Sequence, residues 1–586
     1  MQGVELPAVI GILFTMTNHE RLVKVARGKE PADLLLRNAR ILDVFTGRFF
    51  DGDVAIADGF ITGFAAAGGA RKTVDLDGAW LIPGLIDAHM HIESTQLVPA
   101  EFARAVLPRG TTTVIADPHE IANVLGVDGI SYMLKASRDL PLNVYLMVPS
   151  CVPATQLERS GAQVSAEDVV KMLNWQGVLG LAEVMNYPGV INLDQEMVSK
   201  LQAASGKPID GHAPGLSGAD LWGYIVSGPK TDHECTTLEE AREKLSAGMH
   251  ILIREGTTAK NLEALIPLLD ATTAPFVHFC TDDCHPETLA GDGHMDGVIR
   301  KAISHGTSPE LAISSATIHT ARAYGIDDIG AIAPGYKADL VSMLDLQSMR
   351  TDMVFSKGVL VANSGSTVVD LATYHDEGVR KSVNVNIKSL PFDIAFRPGK
   401  ARAIKVEEDQ VVTGQLDVEP LIRGGSVVSD TDRDLLKLAV VERHHETGNI
   451  GLGLVHGFAL RAGALASSVA HDSHNIIVVG TDDSDMAAAV KEIVRMDGGQ
   501  VVVSEGQVLA RLALPVAGLM SDKGLHEVAA MGKDLKQAAA SLGCELPAPF
   551  MALSFLALPV IPHLKLTDLG LVDVDRFKIV PLFLQA

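Results

Sequence analysis

His89-Met90-His91 closes an apolar run, Ala79-Trp-Leu-Ile-Pro-Gly-Leu-Ile-Asp-Ala-His89. Side chains alternate along a strand, so residues two apart share a face. Two neutral imidazoles set side by side can each give a lone pair to a divalent cation at about 2.0–2.1 Å. The triplet alone is a weak signal, and its weight comes from further short apolar segments that each end in a ligand-type residue. These are Gly177-Val-Leu-Gly-Leu-Ala-Glu183, Lys207-Pro-Ile-Asp-Gly-His212, Thr231-Asp-His233 and Pro275-Phe-Val-His-Phe-Cys-Thr-Asp282. Residues this far apart in sequence converge if each sits at the carboxyl end of a parallel strand in a barrel.

The positioning elements can be read around those residues. Strands are expected to begin near Leu85, Thr113, Val144, Val178, Pro208, Thr231, His250 and Pro275, with helical patterns between them such as Ser165 to Leu173 and Thr236 to Ala247. Strands alternating with helices argue for a parallel sheet. The span from Leu81 to about Tyr324 has the roughly 250 residues of a barrel. The expected fold is therefore α/β, with a (β/α)8 TIM-like barrel over residues 81–325. Short alternating runs precede it, as in Leu34-Leu-Leu-Arg-Asn-Ala-Arg-Ile-Leu-Asp43 and Asp51-Gly-Asp-Val-Ala-Ile-Ala-Asp-Gly-Phe-Ile61, and a similar texture returns from Ile332 to about Thr373. Residues 1–80 and 326–385 are expected to carry the two halves of one split small β-sandwich domain, and residues 386–586 an additional C-terminal α/β domain. In that domain Ile476-Ile-Val-Val-Gly480 reads as a strand and Ser484 to Val494 as a helix, capped within Thr481-Asp-Asp483.

A chain of 586 residues suggests two to four domains. A net charge of −23 argues against nucleic acid as a partner, since a phosphate backbone attracts Lys and Arg. Residues 1–30 lack the three-part pattern of a signal peptide. The apolar stretch Phe550 to Ile561 is interrupted by Pro559 and is shorter than the roughly 20 residues a membrane span needs, so it reads as buried core. Five cysteines, few and odd in number, fit a reducing compartment. A soluble, acidic, cytoplasmic enzyme is expected, with no membrane partner. Cys280 and Cys284 have no second pair to complete a metal site.

With these motifs in place the sequence resembles the amidohydrolase superfamily and, within it, the bacterial adenine deaminases. The superfamily pattern is matched by His89 and His91 on the first strand, Glu183 on the fourth, His212 on the fifth, His233 on the sixth and Asp282 on the eighth, with Gly335-Tyr-Lys-Ala-Asp339 in the second small-domain half. The closer resemblance lies in Ala116-Asp-Pro-His-Glu120, Cys280-Thr-Asp-Asp-Cys-His-Pro286, Gly448-Asn-Ile-Gly-Leu-Gly453 and Ala470-His-Asp-Ser-His-Asn475. It covers nearly the whole chain.

The resemblance implies two divalent metal ions: His89, His91 and Asp282 holding one, His212 and His233 the other, and Glu183 bridging them where other members use a carboxylated lysine. Two cations about 3.5–4 Å apart can share a hydroxide formed near neutral pH. Imidazole and carboxylate ligands suit manganese, iron or zinc. On adenine, a purine small molecule, the hydroxide would attack C6, a proton would reach N1, and ammonia would leave to give hypoxanthine. Asp282 is the first candidate for proton shuttle and Asp283 its neighbouring competitor. The mononuclear deaminases of the superfamily carry a glutamate three residues after the fifth-strand histidine; here that position is Gly215, so the ring proton must come from elsewhere, with His119 and Glu120 as candidates. The family resemblance also implies a homo-oligomer, a dimer.

Other residues have more than one reading. His471-Asp-Ser-His474 and His444-His445 could be hydrogen-bonded turns, further metal ligands or parts of the substrate pocket. His278 shares the parity of Asp282 but lies deeper in its strand, which suits a supporting or core position. His285 and Ser150 are candidate substrate contacts, and Cys151 could line the pocket beside Ser150. The alternative reaction is hydrolysis of a cyclic amide or N-acyl group, since the same metal centre attacks amide carbonyls. A scaffold protein descended from the same barrel would have lost the ligand residues that this chain retains.

Overall fold

The computed structural model describes residues 19–257, 259–407 and 412–584, so the expectation of no leader in residues 1–30 falls largely on residues outside those described. Eight short parallel strands follow in chain order. β1 (Leu85–Met90), β2 (Thr111–Ala116), β3 (Asn143–Val148), β4 (Val178–Val184) and β5 (Ile209–Gly211) form one sheet in that order, and β6 (Thr231–Asp232), β7 (His250–Arg254) and β8 (Val277–Cys280) form a second. Each begins within two residues of the position read from the sequence. β1 and β2 are buried at all six of their positions, as a parallel sheet covered on both faces requires.

The two sheets curl toward each other at both edges. Met90 and Asp282 form a parallel bridge, with Asp282 N donating to His89 O (3.0 Å) and His91 N donating to Asp282 O (3.3 Å). At the other edge Lys230 N donates to Ile209 O (3.0 Å) and Gly211 N to Thr231 Oγ1 (3.2 Å). Ile86, Ala88, Ile115, Met147, Ala182, Leu252 and Cys280 from both sheets meet in one apolar cluster with Tyr324. This cluster makes a rigid floor, so that the residues ending each strand project from a fixed base.

The helices between strands begin where capping chemistry directs them. Ser165 caps Ala166–Met172 through a reciprocal pair with Asp168, and Thr237 caps Leu238–Ser246 by accepting from Glu240 N. Outside the parallel strands, Trp80–Pro83 pairs with Ala32–Asp43 on one side and with Leu340–Asp345 on the other. The chain segments before and after the parallel strands therefore share one nine-stranded sheet. The C-terminal region carries an eight-stranded sheet that includes Leu436–Val441 and Ile476–Gly480. Asp482 caps its helix Asp483–Met496, accepting from Ser484 N and Asp485 N at 3.0 Å. Within the apolar stretch at 550–561, Pro549–Phe555 forms a short helix. Among the described residues no helix is long and apolar enough to cross a membrane.

Candidate active site

His89 and His91 leave the end of β1 with their rings 5.0 Å apart and nearly perpendicular. The ring of His233, just past β6, stacks on His89 at 4.2 Å. Glu183, in the last turn of β4, stands between the histidines: its Oε1 lies 3.5 Å from His91 Nε2 and its Oε2 3.2 Å from His233 Nε2. Asp282 Oδ1 lies 3.1 Å from His91 Nε2 and 3.7 Å from His89 Nε2. His212, past β5, packs its ring 5.5 Å from that of His233. The six expected side chains thus occupy one end of the curled sheet, each delivered by a strand terminus.

Two buried anchors orient this set. His91 Nδ1 donates to Asp117 O (2.9 Å), which leaves its Nε2 lone pair facing the cluster, the usual support for a metal-binding imidazole. Asp210, beneath His89, accepts from Thr231 Oγ1 (2.8 Å) and Tyr324 Oη (2.9 Å). Among the described residues His89 Nε2 is buried and has no hydrogen-bond partner, nor has Nδ1 of His212 or His233. Converging imidazoles and carboxylates with such an orphaned nitrogen fit divalent cations. Two overlapping groups, His89, His91 and Asp282 and then His89, Glu183 and His233, each bring their donor atoms within 4.8 Å of one another.

Several members of the site were not singled out in the sequence. Arg254, the last residue of β7, lies between two carboxylates: it donates to Asp282 Oδ2 at 2.8 Å and pairs with both oxygens of Glu234. Burial opposes ionisation of Asp282, but Arg254 and then the histidines outweigh it and hold the carboxyl well below its ordinary range. Glu234 follows His233 directly and lies 3.4 Å from its Nε2 and 3.5 Å from that of His212. The signal for Arg254 was available, because it ends the strand His-Ile-Leu-Ile-Arg as the ligand-type residues end theirs. Nothing local marked Glu234 apart from other acidic residues.

His119 and Glu120 open the helix after β2. His119 Nδ1 lies 3.1 Å from Asp117 Oδ2 and 3.3 Å from Glu183 Oε1. Glu120 is gripped from the C-terminal region, with His471 Nδ1 2.8 Å from its Oε1 and His474 Nε2 bonded to its Oε2. Burial would raise the Glu120 pKa, but His471, His474 and His119 together hold it well below the carboxylate range. His471-Asp-Ser-His474 therefore belongs to the site. His444 and His445 do not reach it: their Nε2 atoms bond the backbone carbonyls of Ser473 (2.7 Å) and Ser160 (3.1 Å).

A cleft of about 660 Å3 opens over the cluster, lined by His91, Glu183, His212, His233 and Asp282 below and by residues of the C-terminal region above. Asp283 lines it too and accepts from Ser94 Oγ (2.5 Å). Ser150 is not among the lining residues; its hydroxyl donates to Glu183 O (2.5 Å) and so fixes the backbone that carries the carboxylate. Its neighbour Cys151 is buried beside it. His285 lines a smaller adjoining space of about 320 Å3 with His471 and Glu93, and burial lowers its pKa to about 4. His278 is remote from the cluster: its Nε2 lies 2.9 Å from His250 Nδ1 and its Nδ1 3.5 Å from Thr320 Oγ1. Cys280 and Cys284 are free, buried thiols. Gly215 sits in an exposed loop, its N bonded to Glu240 Oε1 (2.9 Å).

Residues 80–361 match the amidohydrolase family and residues 410–578 the adenine deaminase C-terminal domain. The chain is 49% identical to adenine deaminase 2 of Carboxydothermus hydrogenoformans and 49% identical to an adenine deaminase of Desulfatibacillum aliphaticivorans, in each case over 96% of this chain and 99% of that protein. It is 47% identical to an adenine deaminase of Kosmotoga olearia, over 96% of this chain and 98% of that one. With full-length similarity at this level and a clustered set of metal-ligand side chains, the chain belongs to the adenine deaminase family of amidohydrolases and is an enzyme of the deaminase type.

Proposed function

We propose that the protein hydrolytically deaminates adenine to hypoxanthine and ammonia. The single observation that carries this reading is the joint construction of the cleft: strand-end ligand residues form its floor, and the segment around His471, from the region matching the adenine deaminase C-terminal domain, forms its roof. His89, His91 and Asp282 would hold one divalent cation and His212 and His233 a second, with Glu183 between them; manganese or iron are the first candidates and zinc the next. When bound, such cations supply Lewis acidity and lower the pKa of water toward neutrality.

The protein's own groups handle the protons. His119 and Glu120 are the candidate donors to N1 of the ring, the Glu120 carboxylate by relaying a proton from His471 or His474, which hold it in place. Asp282 is the candidate to carry a proton to the departing amino nitrogen, and Asp283, which lines the same cleft and accepts from Ser94 Oγ, is its competitor. The two parallel sheets are read as arcs of one (β/α)8 barrel over residues 81–325, and the nine-stranded sheet as a small β-sandwich split between residues 1–80 and 326–385. The remainder, 386–586, is the C-terminal domain. A cytoplasmic homodimer acting on a free purine, with no nucleic-acid partner, completes the proposal.

The test is ammonia release by manganese-loaded protein from adenine, with adenosine and a cyclic amide in parallel and His89→Ala as control. Release from adenine that is absent in His89→Ala is expected. Full metal occupancy with turnover of the cyclic amide alone would replace the deaminase reading by a two-metal amide hydrolase.

A further inference from the structure

One polar atom in the roof of the cleft has no assignment. Asp472 is 4% exposed, lines the cleft, and its Oδ2 has no hydrogen-bond partner among the described residues. The nearest imidazole does not satisfy it: His471 Nδ1 lies 3.9 Å from Asp472 Oδ1 but 2.8 Å from Glu120 Oε1, so its proton is committed to Glu120. Buried carboxylate oxygens are almost always paired, and leaving one unpaired costs about 1–3 kcal/mol or more. Because Asp472 lines the cleft, a small turn of its carboxyl would offer this covered oxygen to a donor that arrives with a ligand.

The surroundings restrict what that donor belongs to. Phe555, Leu558, Val560 and Ile561 form an apolar wall of the same cleft, and Phe555 stacks on His471 at 5.2 Å with the rings 19° apart. An apolar wall facing a polar floor suits a flat heterocycle with polar edges. If its amino-bearing carbon faces the floor, the other ring must present an N–H to the roof. Adenine meets this condition through its imidazole N–H. A purine substituted at N9 does not, because its imidazole edge offers only the N7 lone pair, which a carboxylate repels.

We propose that Asp472 is a substrate-binding residue that accepts the imidazole N–H of a free purine base and so selects bases against N9-substituted purines. This rests on the deaminase reading above and assigns part of its specificity to the C-terminal region. Sites built to accept an N–H discriminate strongly against analogues that lack it, because the buried acceptor is then stranded.

The experiment compares metal-loaded wild type, Asp472→Ala and Asp472→Asn, each checked for metal content and circular dichroism. It measures kcat and KM for adenine, the inhibition constant of 9-methyladenine, and direct binding of adenine by calorimetry. Asp472→Ala is expected to lose about 30-fold or more in kcat/KM for adenine, chiefly through KM, with 9-methyladenine binding unchanged or tighter. Asp472→Asn, whose amide oxygen still accepts, should fall between the two. Unaltered adenine kinetics in Asp472→Ala, or equal losses for adenine and 9-methyladenine, would overturn the assignment. Should wild type bind adenine without deaminating it, weaker adenine binding in Asp472→Ala would uphold the assignment while the deaminase reading fell. No binding of adenine by wild type would remove both.

Discussion

Glu120 is the residue on which both halves of the site meet. It is carried by the helix after β2, yet the two imidazoles that hold it come from residues 471 and 474. A carboxylate so held cannot wander, and its hydrogen-bond partners can pass a proton through it. Glu120→Gln keeps the shape and removes the charge. Its kcat is expected to fall by about 10²- to 10⁴-fold, the usual worth of a positioned acid–base group, with metal content unchanged by elemental analysis. Undiminished turnover would take Glu120 out of the mechanism. The pairing was not legible in the sequence: the short motif around residues 117–120 and the histidines some 350 positions later carry no mark of each other, and only the packing of the C-terminal region brings them to one carboxylate.

Apart from β3, the strands of the parallel set work as arms with a largely buried apolar run, and the chain at or just past their ends reaches the cleft. That division was legible because burial on both faces forces a continuous apolar run, and a polar residue ending such a run stands out. The same division explains His278. It lies within β8, well back from the strand's ligand-bearing end, fully buried among His250, Thr320 and the neighbouring His319. Burial, with His250 and His319 adding to it, pushes its pKa well below the usual 6.5. The unfolded chain therefore takes up a proton near pH 6.5 that the folded chain refuses, so this stabilisation is complete above that pH and is lost as pH falls below it. In metal-free protein, urea unfolding at pH 7.5 and 5.5 should show wild type losing about 1 kcal/mol more than His278→Gln. Equal losses in the two proteins would mean that His278 titrates in the fold as it does in the unfolded chain.

At the scale of the molecule the C-terminal region is fastened to the parallel strands well beyond the cleft. Asn475 Nδ2 donates to Arg159 O (2.8 Å), Arg159 N to Asp568 Oδ1 (3.0 Å), and Thr567 Oγ1 to Leu157 O (2.7 Å). These bonds tie the loop after β3 to the roof, so loss of order in the floor is transmitted to the cover. Removal of metal should therefore destabilise the whole chain. For a site held at 100- to 1,000-fold above its dissociation constant, mass action gives about 3–4 kcal/mol. Chelation is expected to lower the thermal midpoint, and manganese added back should restore it. A midpoint indifferent to chelator would mean that the clustered side chains hold no ion in the folded protein.

The sequence by itself determined the order and spacing of the parallel strands, the two flanking runs of short strands, the helix cap within Thr481-Asp-Asp483, and the residues that end the strands. All of these are local consequences of apolar periodicity and capping chemistry, and their signals lie within a few residues of the feature they produce. Only the tertiary structure decided how the strand ends are wired together. It set Arg254 between Asp282 and Glu234, turned the Ser150 hydroxyl onto the backbone of Glu183 rather than into the cleft, and placed Asp472 and Phe555 over the floor. Those relations depend on which surfaces pack together across hundreds of residues. A charged or polar side chain looks the same in sequence whether solvent, a buried partner or a ligand finally satisfies it.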